Sequence, residues 1–469
     1  MRISKHMAQC FLLLLLLLIC PAPPHAAAAP LSLPRGLPEQ PGMEGLQTVL
    51  RDLAGKRMEI IAIQRELVSR PAIGPEAGGR GEEDKANWLT GYLAEKGVPI
   101  VERLDSVDRV RSMESGAVRD VRPNVIAVHP GRYGLEKGRT LWIACHLHVA
   151  HPGPLELWNG SPWKLRVEGN TIYGRGVMDN YQSITAALLL LDSLKRNRLV
   201  PALNLGLVLH AQNSGFRHVL QARPDLFKAD DLYLVPDYGN QHGTAVSLAE
   251  KGLVWLKLTV QGEARHASEG RGWFSALAAG SDLISRLPEI GRDLSGQDSL
   301  FADPAPACTA TQASTEQGGL NTVASAYILH LDCRFIPSHG AENPEQGVRD
   351  LAARMDREHG VTTDITVLTR YPGAMPTPPD SEIVHALRRA VRSQLPGKEL
   401  AAHGSNTNTA ASLLREKGLP VAAWAKIIPA NRQMANEFAH IADHLDEARV
   451  FARILFDREI NPRAAAAQP

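Results

Sequence analysis

The chain has 469 residues, a hydrophobic content of 44% and a charged content of 22%, which suits a soluble protein with a full core and two or three domains. A formal net charge of +1 and an aromatic content of only 5% exclude a polyanion-binding surface and a stacking platform, so no nucleic-acid partner is expected.

The N-terminus reads as an export signal. Arg2, Lys5 and His6 make a basic start, Phe11 to Ile19 is unbroken apolar sequence, and Ala26 to Ala29 offers a small-residue cleavage site. The apolar run is too short to span a bilayer, which needs about 20 residues. Residues 1–29 are therefore expected to be a signal peptide, with a secreted or periplasmic destination and no other membrane contact. Residues 30–44 are a Pro-rich lead-in.

Helical spacing of apolar residues then runs from Leu46 to Leu67 and stops at Pro71, and a second amphipathic helix covers Lys85 to Lys96. Asn124–His129, Leu141–His146, Leu203–Leu209 and Asp231–Val235 read as strands, with an apolar helix over Ile184–Leu194. Strands alternating with helices predict an α/β domain whose sheet is mainly parallel and flanked by helices, with ligands at the carboxyl ends of its strands.

The pattern changes after Lys251. Leu253–Val260 alternates as a half-buried strand, Trp273–Leu287 is helical, Cys308–Thr315 and Ala324–Phe335 are strands, Glu345–His359 is a helix and Thr363–Leu368 a strand. This βαββαβ order predicts a separate two-layer module. Helices of the first kind resume at Ile383–Ser393, Asn408–Leu414 and His444–Asp457. The expected organisation is a first domain in two parts, 45–250 and 371–462, with an insert at 251–370 and a tail at 463–469.

Cys10 and Cys20 lie in the signal. Cys145, Cys308 and Cys333 are too few and too scattered for a disulfide framework or a zinc knuckle, and Cys145 and Cys333 read as small buried hydrophobes.

Chemistry concentrates at strand ends. His146 closes the strand Leu141–His146, Asp179 follows Tyr173-Gly174-Arg175-Gly176 at a loop–helix junction, and Asp237 follows another strand. One imidazole and two carboxylates so placed are a natural ligand set for a hydrolytic metal ion.

Together with Gly262-Glu263-Ala264-Arg265-His266-Ala267-Ser268, Asn321, Asp332-Cys333-Arg334 and Asn436-Glu437, these stretches resemble the co-catalytic dizinc exopeptidase and aminoacylase family. Its members include carboxypeptidase G, carnosinase-type dipeptidases, succinyl-diaminopimelate desuccinylase and aminoacylase. The resemblance covers about residues 45 to 460. It implies that His146 and Asp237 hold one metal, that Asp179 bridges two, and that the Asp179–Asn180 peptide is cis. It implies that the insert is a lid and dimerisation module, through which a homodimer would form. His266 would steady an oxyanion, and Asn321, Arg334 and Asn406 would bind a substrate carboxylate. The substrate would be a small peptide or an N-acyl amino acid.

Against that pattern the chain departs. His148 replaces the family's orienting Asp, Gln212 its general base Glu, and Asn213 and Gln433 two ligands of the second metal. In Ser405-Asn406-Thr407-Asn408, an Asn replaces the Asp of a Gly-rich turn. A Gln amide accepts no proton at neutral pH, and amides do not offset a second Zn²⁺. The expectation is at most one Zn²⁺ per chain, with His148 and His210 as the nearest candidate substitute bases. Three functions stay open: a metallohydrolase, a catalytically silent binder of peptides or acyl-amino acids, and a metal-assisted acyl transferase or cyclase.

Overall fold

The computed structural model describes residues 42–463, apart from 76–77, 113–115, 270–274, 291–297, 303–305, 316–318 and 341. The expected signal peptide, most of the lead-in and the last residues of the tail lie outside these. No described helix is long and apolar enough to cross a membrane.

An eight-stranded sheet forms the first domain. Its strands run in the order Ile100–Ser112, Gly116–His129, Asn204–His210, Thr140–His146, Leu232–Gly239, Val421–Ala425, Ala245–Glu250, Ala401–Ser405. The three central pairings, from Asn204–His210 through Val421–Ala425, are parallel, whereas Gly116–His129 joins antiparallel at one side. Thr140–His146 and Asn204–His210 are buried throughout, as expected of strands covered on both faces.

Both faces are indeed covered. Helices Gly42–Leu53, Arg57–Val68, Tyr181–Arg196, Glu382–Gln394 and Ile441–Leu455 supply Leu53, Leu67, Leu190, Leu387 and Phe451 to the larger core. On the other face, helices Asn213–Ala222 and Ala410–Glu416 pack Phe216, Val219 and Leu413 against Trp142 and Tyr233. Helix Tyr181–Arg196 runs through the larger core, with thirteen of its sixteen residues buried.

The stretch expected as one helix from Leu46 to Leu67 is two, because the chain turns at Ala54–Lys56. Four strands of the eight-stranded sheet lie where the sequence predicts none: Ile100–Ser112, Ala245–Glu250, Ala401–Ser405 and Val421–Ala425. Ile100–Ser112 is too charged to show an apolar stripe, and Ala245–Glu250 runs almost directly into the next strand at Gly252.

The insert matches the predicted order. Gly252–Gln261, Ala307–Thr315, Ala326–Phe335 and Thr362–Tyr371 form a four-stranded antiparallel sheet. Helices Ala276–Arg286 and Glu342–His359 cover one face of it. Its core is its own: Val254, Leu256, Leu258 and Val260 alternate inward against Leu283, Leu351 and Met355. Trp255 on the opposite face is exposed.

The cysteines correct one expectation. Cys333 is not a lone buried hydrophobe, since it forms a disulfide with Cys308. The two residues lie directly opposite each other in adjacent strands, a register that sequence separation alone does not show. Cys145 is free and buried, as expected.

Candidate metal centre

Strand ends and the loops that follow them build the centre. His146 and His210 end neighbouring parallel strands in register with each other. The loop carrying Asp179 follows Tyr173-Gly174-Arg175-Gly176 and opens helix Tyr181–Arg196. Its peptide to Asn180 is cis, as the resemblance implies. Asn180 Nδ2 donates to the Pro236 carbonyl, which ties this loop to the strand bearing Asp237.

His146, Asp179 and Asp237 converge. One ligand atom from each lies within 4.8 Å of the others. His146 Nε2 is 3.3 Å from Asp179 Oδ1 and 3.9 Å from Asp237 Oδ1. His146 Nδ1 lies 2.9 Å from the His148 carbonyl. A carbonyl only accepts, so Nδ1 carries a proton; Nε2, whose hydrogen bond to Asp179 Oδ1 takes a second one, is the nitrogen that would turn its electron pair to a cation in that proton's place. Burial depresses the basicity of His146, but its hydrogen bond to Asp179 and the charges of Asp237 and Asp179 outweigh this and leave it raised. An imidazole and two carboxylates in that arrangement fit one divalent cation.

Asp179 is itself held by a buried pair. Glu437 Oε1 accepts the backbone N–H groups of Met178 and Asp179, both at 3.2 Å. Its Oε2 accepts Arg175 Nη1 at 2.8 Å. The motif around Arg175 and the pair Asn436-Glu437 are thus one structure, assembled from distant parts of the chain. Burial, and next the nearby charge of Asp179, push Glu437 up to about 7 against the pull of Arg175. Sequence reasoning marked both motifs without assigning Glu437 this role.

Of the positions expected to have lost function, His148 and Gln433 touch the triad's own residues, while Gln212 and Asn213 follow the strand that ends at His210. Gln212 occupies the position just before helix Asn213–Ala222, and its side chain makes no capping hydrogen bond there. Asn213 Nδ2 donates to the Asn408 carbonyl at 3.2 Å. His148 stacks near His146, with ring centroids 4.4 Å apart, and its Nδ1 donates to the Ala211 carbonyl at 2.9 Å. Burial, together with the neighbouring His146 and His210, holds His148 well below the usual imidazole range. Burial likewise takes His210 down to about 3.

Arg432 is the residue that sequence reasoning missed. Its Nε donates to Asp179 Oδ2 at 2.8 Å, its Nη2 to Asp237 Oδ1, and its Nη1 to the Asp237 carbonyl at 3.2 Å. Gln433 Nε2 adds a bond to Asp179 Oδ2 at 3.1 Å. The only signal in sequence is a basic residue next to the expected, replaced ligand position.

The residues expected to read substrate divide into two groups. Arg334 is held at the turn that carries Asn406 and Asn408: Nη1 donates to Asn408 Oδ1 at 2.9 Å and to the Asn406 carbonyl at 3.1 Å, while Nε and Nη2 grip Asp332. Asn408 Nδ2 in turn bonds the Lys251 carbonyl at 2.8 Å. The Asn406 side chain is exposed, so Asn408 is the amide that faces Arg334. His266 and Asn321 sit on the insert's exposed surface, joined to each other at 3.1 Å, and no described hydrogen bond links them to the triad.

A mainly parallel sheet, an inserted antiparallel module and an imidazole–carboxylate cluster at the strand ends define a metallohydrolase-type α/β protein. The chain belongs to the peptidase family M20/M25/M40, whose sequence signature matches residues 142–457. It is 27% identical over 422 residues to an uncharacterised metallohydrolase of Methanococcus maripaludis, covering 85% of this chain and 98% of that one. A succinyl-diaminopimelate desuccinylase of Acidovorax ebreus is 24% identical, with 71% and 82% covered. Among solved structures, the di-peptidase Dug1p of Saccharomyces cerevisiae has a TM-score of 0.71 at 12% identity, covering 88% of this chain and 98% of that one. Human carnosine dipeptidase 1 has a TM-score of 0.68 at 14% identity, again over 88% and 98%.

Proposed function

We propose that this protein is an exported metallohydrolase acting on the amide bond of small peptides or N-acyl amino acids, with a single divalent cation, Zn²⁺, held by His146, Asp179 and Asp237. The observation that carries it is the convergence of those three side chains at the carboxyl ends of the sheet. A divalent cation in such a site supplies Lewis-acid polarisation of the scissile carbonyl. The chain's own groups do the rest. Arg334, oriented by Asp332 and Asn408, receives the substrate carboxylate, a task suited to its planar fork. His266 steadies the developing oxyanion with Asn321 beside it, delivered by the insert in a homodimer. His148, protonated at Nδ1, presents Nε2 to accept the proton of an attacking water. Its lowered basicity makes it a weaker base than an ordinary imidazole, and general bases contribute about 10²–10⁴-fold. Export is supported by the leader-like N-terminus and by the Cys308–Cys333 bond, which persists in oxidising compartments.

Gln212 and Asn213, amides at the positions of the expected base and ligand, favour a second reading: a silent relative that binds the same compounds without cleaving them. One experiment separates the two. The purified protein is loaded with Zn²⁺ and offered a panel of dipeptides and N-acyl amino acids, beside His146→Ala and a chelated control. Turnover that disappears in both controls establishes the hydrolase. Saturable binding without turnover at any metal concentration establishes the silent relative.

A further inference from the structure

Asp179 shows its two oxygens to different neighbours. Oδ1 faces His146 Nε2. Oδ2 is covered by Arg432 Nε and Gln433 Nε2. The same guanidinium continues to Asp237, on both its carboxylate and its carbonyl. One organic cation therefore already bridges the two acids that would hold a metal ion.

The loop is built for this. Consecutive side chains normally diverge, yet Arg432 and Gln433 both reach Oδ2 of one carboxylate. Gln433 does so from a φ of 60°, a region side chains other than glycine rarely adopt. Anchors stand on both sides. Asn431 Nδ2 donates to the Phe438 carbonyl at 2.6 Å, Asn436 bonds Asn159 N and the Leu157 carbonyl, and Glu437 is locked to Arg175. Planar geometry lets a guanidinium contact two carboxylates at once, which an ammonium does not match.

We propose that Arg432 is the fixed counter-cation of this centre: it competes with divalent metal for Asp179 and Asp237, limits the site to one exchangeable ion, and keeps the carboxylate pair folded when no metal is bound. The inference rests on the reading of His146, Asp179 and Asp237 as a cation site. Removing a unit charge that contacts both acids changes the attraction for a dication by at least a tenfold factor in affinity, even at a surface-like effective dielectric.

Metal-stripped protein is titrated with Zn²⁺ by equilibrium dialysis and elemental analysis, as wild type, Arg432→Met, Arg432→Lys and Asp237→Asn. Thermal melts are recorded with and without chelator. Wild type is expected to bind at most one ion and to melt at nearly the same temperature with or without it. Arg432→Met should bind Zn²⁺ about tenfold or more tightly and become dependent on it for stability. Arg432→Lys, which keeps the charge and loses the fork, should fall between them and serves if the Met variant does not fold. Equal affinity in wild type and both Arg432 variants overturns the inference, as does a wild type whose melting temperature collapses on chelation. If Asp237→Asn leaves wild-type binding intact, the cation-site reading itself fails, an outcome distinct from the first.

Discussion

Around Asp179 the centre has two unlike sides. On one, His146 and Asp237 face a shared point from strand ends, with ligand chemistry intact. On the other, Asp179 Oδ2 meets the neutral amide of Gln433, and Arg432 provides the charge and continues to Asp237. A site can thus lose anionic ligands and stay electrostatically balanced if a cationic side chain moves in. Counting surviving ligands alone would miss that compensation.

Asp179→Ala puts this contrast under the greatest stress, because it removes what both sides share. It leaves Arg432 partly buried with one acid fewer, and breaking a buried ion pair costs about 3–5 kcal/mol. Chemical denaturation should show that loss, and elemental analysis no bound Zn²⁺. A loss under about 1 kcal/mol, the range of an exposed pair, would mean the two sides are not coupled through this residue.

A second test addresses the helix on which both sides depend. Glu447 is buried behind its first turn, where it accepts Gln182 and Ser183 side chains and the Lys426 N–H. Burial, chiefly, raises it to about 7 from an ordinary 4.5. A raised carboxyl stabilises the fold fully below its unfolded value, and that contribution disappears as pH rises through about 7. Between those limits about 3 kcal/mol should be lost. Glu447→Gln should flatten that part of the stability–pH curve, and an unchanged slope would remove Glu447 as its cause.

The third prediction separates the centre from the insert. The Cys308–Cys333 bond joins residues 25 apart, for which chain entropy gives about 3 kcal/mol. The double change Cys308→Ser, Cys333→Ser should destabilise the insert while leaving Zn²⁺ affinity within about twofold, as expected of distant, independent sites. A large drop in affinity would show that the centre needs the module's rigidity. The smallest effect is expected from Arg334→Gln. It should weaken binding of carboxylate-bearing ligands about tenfold, one charge-assisted contact's worth, without altering metal content.

Much of this can be read from the chain itself, for reasons particular residues make plain. The insert's strands show because Val254, Leu256, Leu258 and Val260 alternate, and a period of two over such a run marks a half-buried strand. His146, Asp179 and Asp237 show because catalytic side chains in α/β sheets gather where strands end. Arg432 does not show. It lies in an irregular loop where Gln433 takes a positive φ, a torsion that no pattern of residue types specifies. Nor does the disulfide show, since only strand register brings Cys308 opposite Cys333. The strand Ile100–Ser112 escaped because it lies at the sheet's edge, where charged residues are tolerated and the apolar stripe fades.

Glu437 accepts hydrogen bonds from the loop around Met178 and Asp179 and pairs with Arg175. During synthesis this acid follows Asp179 by 258 residues, so it leaves the ribosome long after the segment it steadies. Domains fold as units, N-terminal first, so the self-contained insert can finish while Asp179 still waits for its partner. A nascent or truncated chain ending before 437 would hold a sheet and a folded appendage but no organised centre. Competence therefore waits for residue 437, whatever has folded before it.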